Sequence, residues 1–462
     1  MMILKTSDLA SAVNGELIGL DISAERKWYS DSRDVEKGGA FVAIKGASVD
    51  GHCYIKQAVS NGAALVIINR EEKENIGLEE YKNVTFIAVS DTVKAMSDMA
   101  KFVLGAVSPK VIGITGSVGK TTTRELLVSI LKKCVRVHAA IRSFNTVIGC
   151  SLTILGMPYD TEVLVLEFGT NHHGEIREMV GYFPPEIAVI TEVVPAHLEG
   201  FGSIEGVLKA KLEICESEKL KKLIYNADNR LLSQAVESSF AGLEKYAVGE
   251  KGSFLRIIDS GISLEEKGPQ LKVAYSFGDS AVSMKAPLFG KQHAYNVAYA
   301  VSAALLAGCP LSDIISSLEK SEPVSGRGVC SKTASGLWLI DESYNANPAS
   351  MGAAIDNTVS VNNNGEFELF AVLAGMRELG EASSKLHKQV SEAFGPFRRV
   401  YLLGDEWNEV NAAENTEKFA SIEEILSHLS EDIKNIKNGI ILVKGSNSYG
   451  LKKVVSVLTE SE

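Results

Sequence analysis

The chain has 462 residues and a formal net charge of −11, and 45% of its residues are hydrophobic. At about 100–200 residues per domain, this length predicts about three domains with packed cores. The acidic balance argues against a general nucleic-acid binder, which needs a basic face to contact phosphates, so we expect no nucleic acid among its partners.

The sequence predicts neither a membrane span nor a disulfide framework. The most apolar run, 297–309, contains Tyr299 and Ser302 and is shorter than the roughly 20 residues that a membrane span requires. The N-terminal stretch MMILKTSDLASAVNGEL reaches polar and acidic residues too early for a signal peptide. The six cysteines form no CxxC pair, so we expect isolated thiols in a reducing cytoplasm and no zinc site: Cys53, Cys134, Cys150, Cys215, Cys309 and Cys330.

Short apolar runs mark the predicted strands along the first two thirds of the chain. The first unit, residues 1–107, has two such runs with helical stretches between them, at 41–46 and 64–70. After Pro109 the run 111–114 is typical of a buried parallel strand, and 122–133 of an amphipathic helix. Three further strands follow, separated by helical stretches, at 163–167, 187–191 and 222–226.

This alternation predicts an α/β fold with a doubly wound parallel sheet for a central domain at 108–324, and ligands at the carboxyl ends of its strands. The alternation restarts beyond 323–327, which predicts a third, Rossmann-like domain over 325–462. Its predicted strands are 337–342, 367–375, 400–405 and 439–446.

The strongest single motif is the run TGSVGKTT at 115–122, which lies between a strand and a helix. Glycines allow backbone N–H groups to surround phosphate oxygens, Lys120 supplies positive charge, and the Thr121 hydroxyl can ligate Mg²⁺. The generic pattern has glycine where Ile114 stands, so this loop is a variant. It predicts a bound nucleoside triphosphate. The absence of an NKxD element disfavours a GTPase, whereas a motor or transport ATPase stays open.

Polar residues follow two other predicted strands. Glu167 ends one strand, where a carboxylate beside the phosphate loop can hold Mg²⁺. The neighbouring His172 and His173 cannot easily face one metal ion, so we expect structural or substrate-contact roles. His197 follows the next strand and can face the same crevice, and Lys211 lies on a helix, where a lysine is ordinarily a solvated charge.

Seven motifs, in this order along the chain, resemble the Mur ligase superfamily: TGSVGKTTT, EFGTNHHGEI, AHLEGFGSIEGVLKAK, GKQHAYNVAYAVSAA, DESYNANPASM, RELG and LVKGS. The runs DSR at 31–33 and DGH at 50–52 extend the resemblance into the first domain. The resemblance is strongest to those members of the superfamily that join D-alanyl-D-alanine to a UDP-N-acetylmuramoyl-tripeptide in peptidoglycan precursor synthesis.

The resemblance implies three domains, for the UDP-sugar, for ATP and for the incoming amine. It also implies an ADP-forming ligase that makes an amide through an acyl phosphate, with ATP and Mg²⁺ as cofactors. We expect a cytoplasmic monomer whose partners are the UDP-linked sugar-peptide and a dipeptide or amino-acid amine.

The resemblance also assigns residues to the metal ions and to catalysis. Thr121 and Glu167 match the ligands of a first Mg²⁺, and His197 matches the position associated with a second. Lys211 matches a lysine that these ligases carry as a carbamate, which converts a cation into a metal-binding anion. Lys120 neutralises the phosphates.

Further residues are assigned to the ligands. Those assigned to ATP are Gly116, Ser117, Gly119, Lys120, Thr121, Thr122, Asn145, Asn296 and Arg327, with His293 near the adenine. Those assigned to the other substrates are Ser32, Arg33, Asn171, His172, Tyr344 and Asn347, with Asn345 facing the reaction centre as a catalytic residue.

The sequence departs from the family pattern at four places. Glu342 and Gly375 stand where the family usually has aspartate, Arg124 where a lysine is usual, and Gly149–Ser151 where the usual run is GVP. Gly375 lies where the amine is expected to bind. An alternative is therefore a Mur-type paralogue that uses a different amino acid or dipeptide, or a pseudomurein-like acceptor.

A second alternative is a regulatory nucleotide-binding protein that has lost catalysis. Such a protein would be expected to lack some of the assigned catalytic and metal-binding residues. All of them are present: Lys120, Thr121, Glu167, His197 and Lys211.

Overall fold

A computed structural model describes residues 4–46, 48–140, 143–266, 268–362, 364–410 and 413–460. Three β-sheets, each covered by helices, follow one another along the chain. This arrangement confirms the predicted three-domain α/β fold. Within the described residues no helix is long and apolar enough to cross a membrane. The cytoplasmic location and the monomeric state stay predictions.

The first sheet has five strands in the order β1-β5-β4-β3-β2, in which only β1 pairs antiparallel. Of its buried strands, β4 lies within the predicted run 64–70, whereas β3 overlaps only the first two residues of the run 41–46. The elements are α1 (Thr6–Ala12), β1 (Glu16–Ile18), β2 (Trp28–Tyr29), β3 (Ala40–Val42), α2 (Ile55–Ser60), β4 (Leu65–Asn69), α3 (Lys73–Ile76), β5 (Thr85–Val89) and α4 (Thr92–Val107).

The central sheet has nine strands, and its first part is the predicted parallel sheet. The elements of this part are β6 (Lys110–Thr115), α5 (Lys120–Leu131), β7 (Val137–Ala139), α6 (Val147–Leu155), β8 (Val163–Glu167), α7 (Glu175–Tyr182), β9 (Ile187–Ile190), α8 (Leu198–Phe201), α9 (Ile204–Leu212), β10 (Lys222–Asn226) and α10 (Arg230–Ser238).

The other edge of the central sheet was not predicted. There β12, β13 and β14 form an antiparallel meander, so the sheet is mixed and not purely parallel. These strands alternate between buried and exposed residues and lack the continuous apolar runs of the parallel strands. The elements are β11 (Glu244–Gly249), β12 (Leu255–Glu265), β13 (Gly268–Phe277), β14 (Ser280–Ala286), α11 (His293–Ala307) and α12 (Leu311–Leu318).

The third sheet has the order β15-β16-β20-β17-β18-β19, parallel except at β15. The strand order reverses between β17 and β20, so the carboxyl ends of these two strands flank a crevice. The elements are β15 (Val329–Lys332), β16 (Trp338–Glu342), α13 (Pro348–Ser360), β17 (Glu368–Ala374), α14 (Ser383–Ser391), β18 (Arg399–Leu403), β19 (Thr416–Phe419), α15 (Ile422–Ile433), β20 (Gly439–Lys444) and α16 (Lys452–Thr459).

One prediction about the cysteines was wrong. Cys134 and Cys309 form a disulfide, with their Cα atoms 5.8 Å apart. Cys134 follows α5 and Cys309 follows α11, and these two helices pack side by side. The two cysteines are 175 residues apart in the sequence, so no local spacing could reveal the pair. Cys53, Cys150, Cys215 and Cys330 are free thiols, as expected.

Candidate active site

The phosphate-binding loop joins β6 to α5, as the sequence predicts. Gly116 and Gly119 have φ angles of 143° and 86°, which favour glycine. A Cβ at Gly116 would lie 2.0 Å from Thr191 Oγ1, and one at Gly119 would lie 2.5 Å from Asn296 Oδ1. Any other residue at either position would therefore have a strained backbone and would displace a neighbouring side chain. The loop packs against the end of β9 and the start of α11, which fixes its shape.

The ammonium group of Lys120 is folded over this loop. Its Nζ donates to the carbonyl of Gly116 at 2.7 Å. Burial lowers the pKa of Lys120, Glu167 acts against this effect, and Arg327 adds to it. A half-buried cation over a loop of backbone N–H groups is suited to hold a polyphosphate.

Glu167 presents a buried carboxylate beside the loop, and three side chains hold it. Thr121 Oγ1 donates to Glu167 Oε2 at 3.0 Å, and Asn145 Nδ2 donates to Oε1 at 3.4 Å. The Arg124 guanidinium lies 3.3 Å from Oε2, with both side chains almost fully buried. The sequence identified Thr121, Asn145 and Glu167, but it gave Arg124 only as a departure from the family pattern.

His197 and Lys211 lie on neighbouring segments after β9. His197 precedes α8 with a left-handed backbone, and its Nδ1 contacts the carboxylate of Glu378 from the third domain. Lys211 is 2% exposed, with Nζ 5.9 Å from the centre of the Phe201 ring. Burial, and then the charge of Lys120, lower the pKa of Lys211 well below its usual value. A neutral amine at this position is a nucleophile.

Unpaired polar atoms mark the nucleotide end of the site. Asn296 Nδ2 lies 3.0 Å from His293 Nδ1 on α11. Within the described part of the chain, the buried His293 Nε2 and Arg327 Nε have no hydrogen-bond partner. Because buried polar atoms are rarely left unpaired, these two are suited to contact a ligand. The Arg327 guanidinium stacks 4.3 Å from the centre of the Tyr344 ring.

The third domain contributes its own cluster at the end of β16. Tyr344 Oη donates to Ser143 Oγ of the central domain at 3.0 Å. The buried Lys444 lies 3.2 Å from Glu342 Oε2 and 3.1 Å from the backbone oxygen of Asn345. Glu342, one of the departures, therefore neutralises a buried lysine.

The side chain of Asn347 plays a structural part here, because it caps α13. Its Oδ1 accepts a hydrogen bond from the backbone N–H of Ser350 at 2.9 Å. The Asn345 side chain also bonds locally, with its Oδ1 accepting from the N–H of Ala346.

At Gly375, the second departure from the family pattern, the loop after β18 supplies a carboxylate. A Cβ at Gly375, after β17, would lie 2.3 Å from Glu406 Oε2. Glu406 follows β18 and contacts the hydroxyl of Tyr449, which follows β20. Arg377 Nε lies 3.4 Å from Glu406 Oε1. A carboxylate thus occupies the space in front of Gly375, although it comes from another strand.

A cavity of about 1470 Å³ is lined by residues of all three domains. It joins the phosphate loop, Glu167, His197, Arg327 and the cluster at the end of β16, whereas Lys211, Gly375 and Glu406 do not line it. The sequence-predicted residues that line it are Ser117, Gly119, Lys120, Thr121, Thr122, Asn145, Glu167, Asn171, His197, Asn296, Arg327, Tyr344, Asn345 and Asn347. Asp91, which caps α4, and Lys94 of α4 line it from the first domain and had not been identified from the sequence.

Three predicted substrate residues do not line this cavity. Ser32 Oγ donates to Gln57 Oε1 at 2.7 Å, and the exposed Arg33 pairs with Asp31 at 2.6 Å. His172 donates its backbone N–H to Glu175, as does Asn171. The carboxylate of Glu175 therefore orders the loop after β8.

The oxygen donors beside the phosphate loop suit magnesium. Among the described residues, no three His, Cys, Asp or Glu side chains converge on one point. The adjoining Thr121 hydroxyl and Glu167 carboxylate are the hard oxygen ligands that Mg²⁺ accepts, with phosphates and water completing the shell. They fit a first ion. Lys211 fits a cation site only after its amine becomes an anion.

Three family profiles match successive parts of the chain. The profile "Mur ligase family, catalytic domain" matches residues 29–103, "Mur ligase middle domain" matches 114–304, and "Mur ligase, glutamate ligase domain" matches 326–447. Together they span most of the chain and all three sheets.

Relatives and solved structures match over almost the whole length. The UDP-N-acetylmuramoyl-tripeptide–D-alanyl-D-alanine ligase of Bacillus subtilis is 32% identical, over 94% of this chain and 93% of the relative. The crystal structure of MurF from Acinetobacter baumannii superposes with a TM-score of 0.84 at 25% identity, covering 100% of both chains. The structure of MurF ligase from Thermotoga maritima in complex with ADP gives 0.80 at 26% identity, covering 94% of this chain and 97% of that one.

Proposed function

The chain belongs to the Mur ligase family, and from this membership we propose that it joins D-alanyl-D-alanine to a UDP-N-acetylmuramoyl-tripeptide while cleaving ATP to ADP and phosphate. The observation that carries the proposal is the cavity between the three domains, with the phosphate loop and Glu167 on its wall. A ligase needs such a cavity because three substrates must meet in one place.

The reaction has two steps. A carboxylate oxygen of the tripeptide attacks the γ-phosphorus of ATP and ADP leaves, so that the carboxylate becomes an acyl phosphate. The dipeptide amine then attacks the acyl carbon, phosphate leaves from the tetrahedral intermediate, and the new amide nitrogen loses a proton. Catalysis of this kind depends on positioning and on neutralising charge.

The residues of this chain divide these tasks. Lys120 and the N–H groups of residues 116–122 hold the phosphates, and Arg327 adds a cation from the third domain. Asn296 and His293 hold the adenine end. Asn145 keeps the Glu167 carboxylate in place.

Two magnesium ions would be held around the transferred phosphoryl group, the first by Thr121 and Glu167 and the second by His197 and Lys211. Bound there, they would neutralise the charge that develops during transfer. We propose that Lys211 carries a carbamate, formed when its neutral amine attacks CO₂ and releases a proton. Its burial and the proximity of Lys120 support this assignment, because both favour the neutral amine.

We assign the three domains to three ligands. Residues 1–107 would bind the UDP-sugar, 108–324 ATP and 325–462 the amine. Ser32 and Arg33 lie at the carboxyl end of β2, where a ligand of the first sheet would bind. Asn171, Tyr344, Asn345 and Asn347 line the cavity where the acyl group and the amine would meet.

The test measures phosphate release from ATP and Mg²⁺ with UDP-N-acetylmuramoyl-tripeptide, with and without D-alanyl-D-alanine, and identifies the product by mass spectrometry. Release that needs both partners, together with a pentapeptide product, is expected. Turnover only with another amine or acceptor would favour the paralogue. ATP binding without turnover on any pair would favour the regulatory protein.

A further inference from the structure

The contact between Glu378 and His197 joins the third domain to the central domain. Glu378 lies in the loop after β17, and His197 lies in the loop after β9, 181 residues earlier in the chain. Their side chains meet through Glu378 Oε2 and His197 Nδ1. Next to this pair, a Cβ at Gly380 would lie 3.3 Å from Cγ of Glu199. The two loops therefore pack against each other at more than one point.

Both residues of the pair have an unusual backbone conformation. The φ angles of His197 and Glu378 are 51° and 65°, in the left-handed region that residues with a Cβ rarely adopt. Only five non-glycine residues of the described chain have positive φ, and two of them meet here. Such conformations persist where the surrounding structure imposes them, and they concentrate at functional sites.

The carboxylate of Glu378 determines which nitrogen of the His197 imidazole carries the proton. A carboxylate only accepts hydrogen bonds, so the proton of the bond lies on His197 Nδ1. Nε2 of the same ring then keeps its lone pair, which is the form that binds a metal ion. A carboxylate behind a metal-binding histidine is a common way to orient the ring and raise its basicity.

The contact is poorly suited to hold the domains together. The side chains of His197 and Glu378 are 31% and 55% exposed. Exposed ion pairs contribute little to stability, and a strained backbone on both sides reduces that contribution further. Orientation of the imidazole is therefore the better explanation for the pair.

We propose that Glu378 is a positioning residue that prepares His197 for metal binding only when the third domain rests on the central domain. This inference rests on the proposed function, because it takes His197 as a metal ligand. It adds that the metal-binding set of the central domain is completed from the third domain. By linkage, metal binding at His197 would in turn favour the closed arrangement.

The first experiment measures Mn²⁺ binding by electron paramagnetic resonance with a non-hydrolysable ATP analogue and no acceptor. Glu378→Gly keeps the left-handed backbone without strain and removes only the carboxylate. We expect the affinity for the weaker Mn²⁺ ion to fall about tenfold, as for other residues behind a metal ligand. Glu378→Gln, whose amide oxygen can still accept from Nδ1, should recover part of the loss.

Two controls separate positioning from a structural role. Glu381→Gln changes an exposed carboxylate in the same loop and should bind Mn²⁺ like the wild type. In a His197→Ala background, Glu378→Gly should cause no further loss. The melting temperature of Glu378→Gly should not fall, whereas a residue that mainly stabilises the fold would lower it.

Unchanged Mn²⁺ affinity in Glu378→Gly, or an equal loss with and without His197, would overturn the proposal. The measurement needs neither the tripeptide nor the dipeptide. An error in the proposed substrates would therefore appear only in the phosphate-release assay and would leave this result unaffected.

Discussion

Arg124 and Glu167 form a buried ion pair beside the phosphate loop. Arg124→Met would remove the guanidinium that pairs with the buried Glu167 carboxylate. Breaking a buried pair on one side costs about 3–5 kcal/mol, so we expect a loss of this size in the free energy of unfolding. Urea denaturation measures it. Arg124→Lys should lose much less, because an ammonium restores the charge.

Glu125→Gln is the matched control for Arg124. Glu125 also contacts the Arg124 guanidinium, but its side chain is 37% exposed. Its removal should change stability by less than about 1 kcal/mol, as for other exposed pairs. Equal stability of Arg124→Met and the wild type would contradict the importance of the buried pair.

Lys211 gives a second prediction for a single residue. If it carries a carbamate, removing dissolved CO₂ should lower the turnover of the wild type, and bicarbonate should restore it. Lys211→Ala should lose more than about a hundredfold in kcat and should not respond to bicarbonate, because a metal ligand is gone. A wild-type rate that is independent of CO₂ would contradict the carbamate. Intact-mass measurement under CO₂ offers an independent check.

Residues of the site were predictable where a local pattern carries the chemistry. The phosphate loop and Glu167 follow buried strands, so their spacing alone placed them at one edge of the sheet. Arg124, Glu378 and Glu406 were not assigned a role, because the role of each depends on a contact that folding creates. Glu378 meets a residue 181 positions away. Such partners leave no signal in the spacing of one sequence.

The loops after β17, β18 and β20 contact one another around Gly375, where Glu406 lies between Gly375 and Tyr449. Gly375→Asp would push a side chain into the space of Glu406 and place two carboxylates together. Overpacking costs about 1–3 kcal/mol, and the like charges add to it, so we expect a lower unfolding midpoint and a higher KM for the dipeptide. Gly395→Asp is the control, since a Cβ there meets nothing within 4 Å.

The double variant Gly375→Asp/Glu406→Ala tests whether the carboxylate of Glu406 replaces the aspartate that the family usually has at position 375. If the carboxylate of Glu406 replaces the missing aspartate, the double variant should recover both stability and KM. Recovery of stability without KM would show that an aspartate at position 375 cannot replace the carboxylate of Glu406. Full activity of the single variant would contradict both explanations.

The disulfide between the ends of α5 and α11 joins two helices that begin at the nucleotide site. Cross-links stabilise mainly by restricting the unfolded chain, typically by about 2–4 kcal/mol. Reduction, or Cys134→Ser with Cys309→Ser, should therefore lower the free energy of unfolding by about that amount. Cys53→Ser, which changes an exposed free thiol, should have no such effect. Equal stability with and without reductant would contradict a structural role for the bond.

Among the elements, the buried parallel strands were the most predictable. β6, β8, β9 and β20 each contain a continuous apolar run, because helices cover both faces of their sheets. The meander β12–β14 was missed because one of its faces is exposed, so its sequence is mixed. The cysteine pair was missed because its members come together only through helix packing.

At the scale of the whole molecule, apolar packing and polar contacts both join the third domain to the central domain. Phe289 of the central domain is buried in the hydrophobic core of the third domain. Next to it, Asn357 on α13 accepts from the N–H of Lys291 at 3.0 Å and donates to Gln292 at 2.6 Å. At the cavity, a polar contact between Tyr344 and Ser143 also joins the two domains. The domain should therefore pivot near Phe289 and open at the cavity.

Phe289→Ala tests this pivot. Truncating a buried phenylalanine lowers the free energy of unfolding by about 3–5 kcal/mol. Here the lost contacts are those between the central and third domains. Small-angle scattering should show that Mg²⁺ with an ATP analogue contracts the wild type more than the variant. The KM values for ATP and for the dipeptide should rise together, because closure brings Arg327 and the amine-binding crevice to the same cavity. Phe102→Ala, which truncates a partly exposed ring in the first domain, should contract normally. If Phe289→Ala also contracts normally and keeps both KM values, the pivot lies elsewhere along the seam.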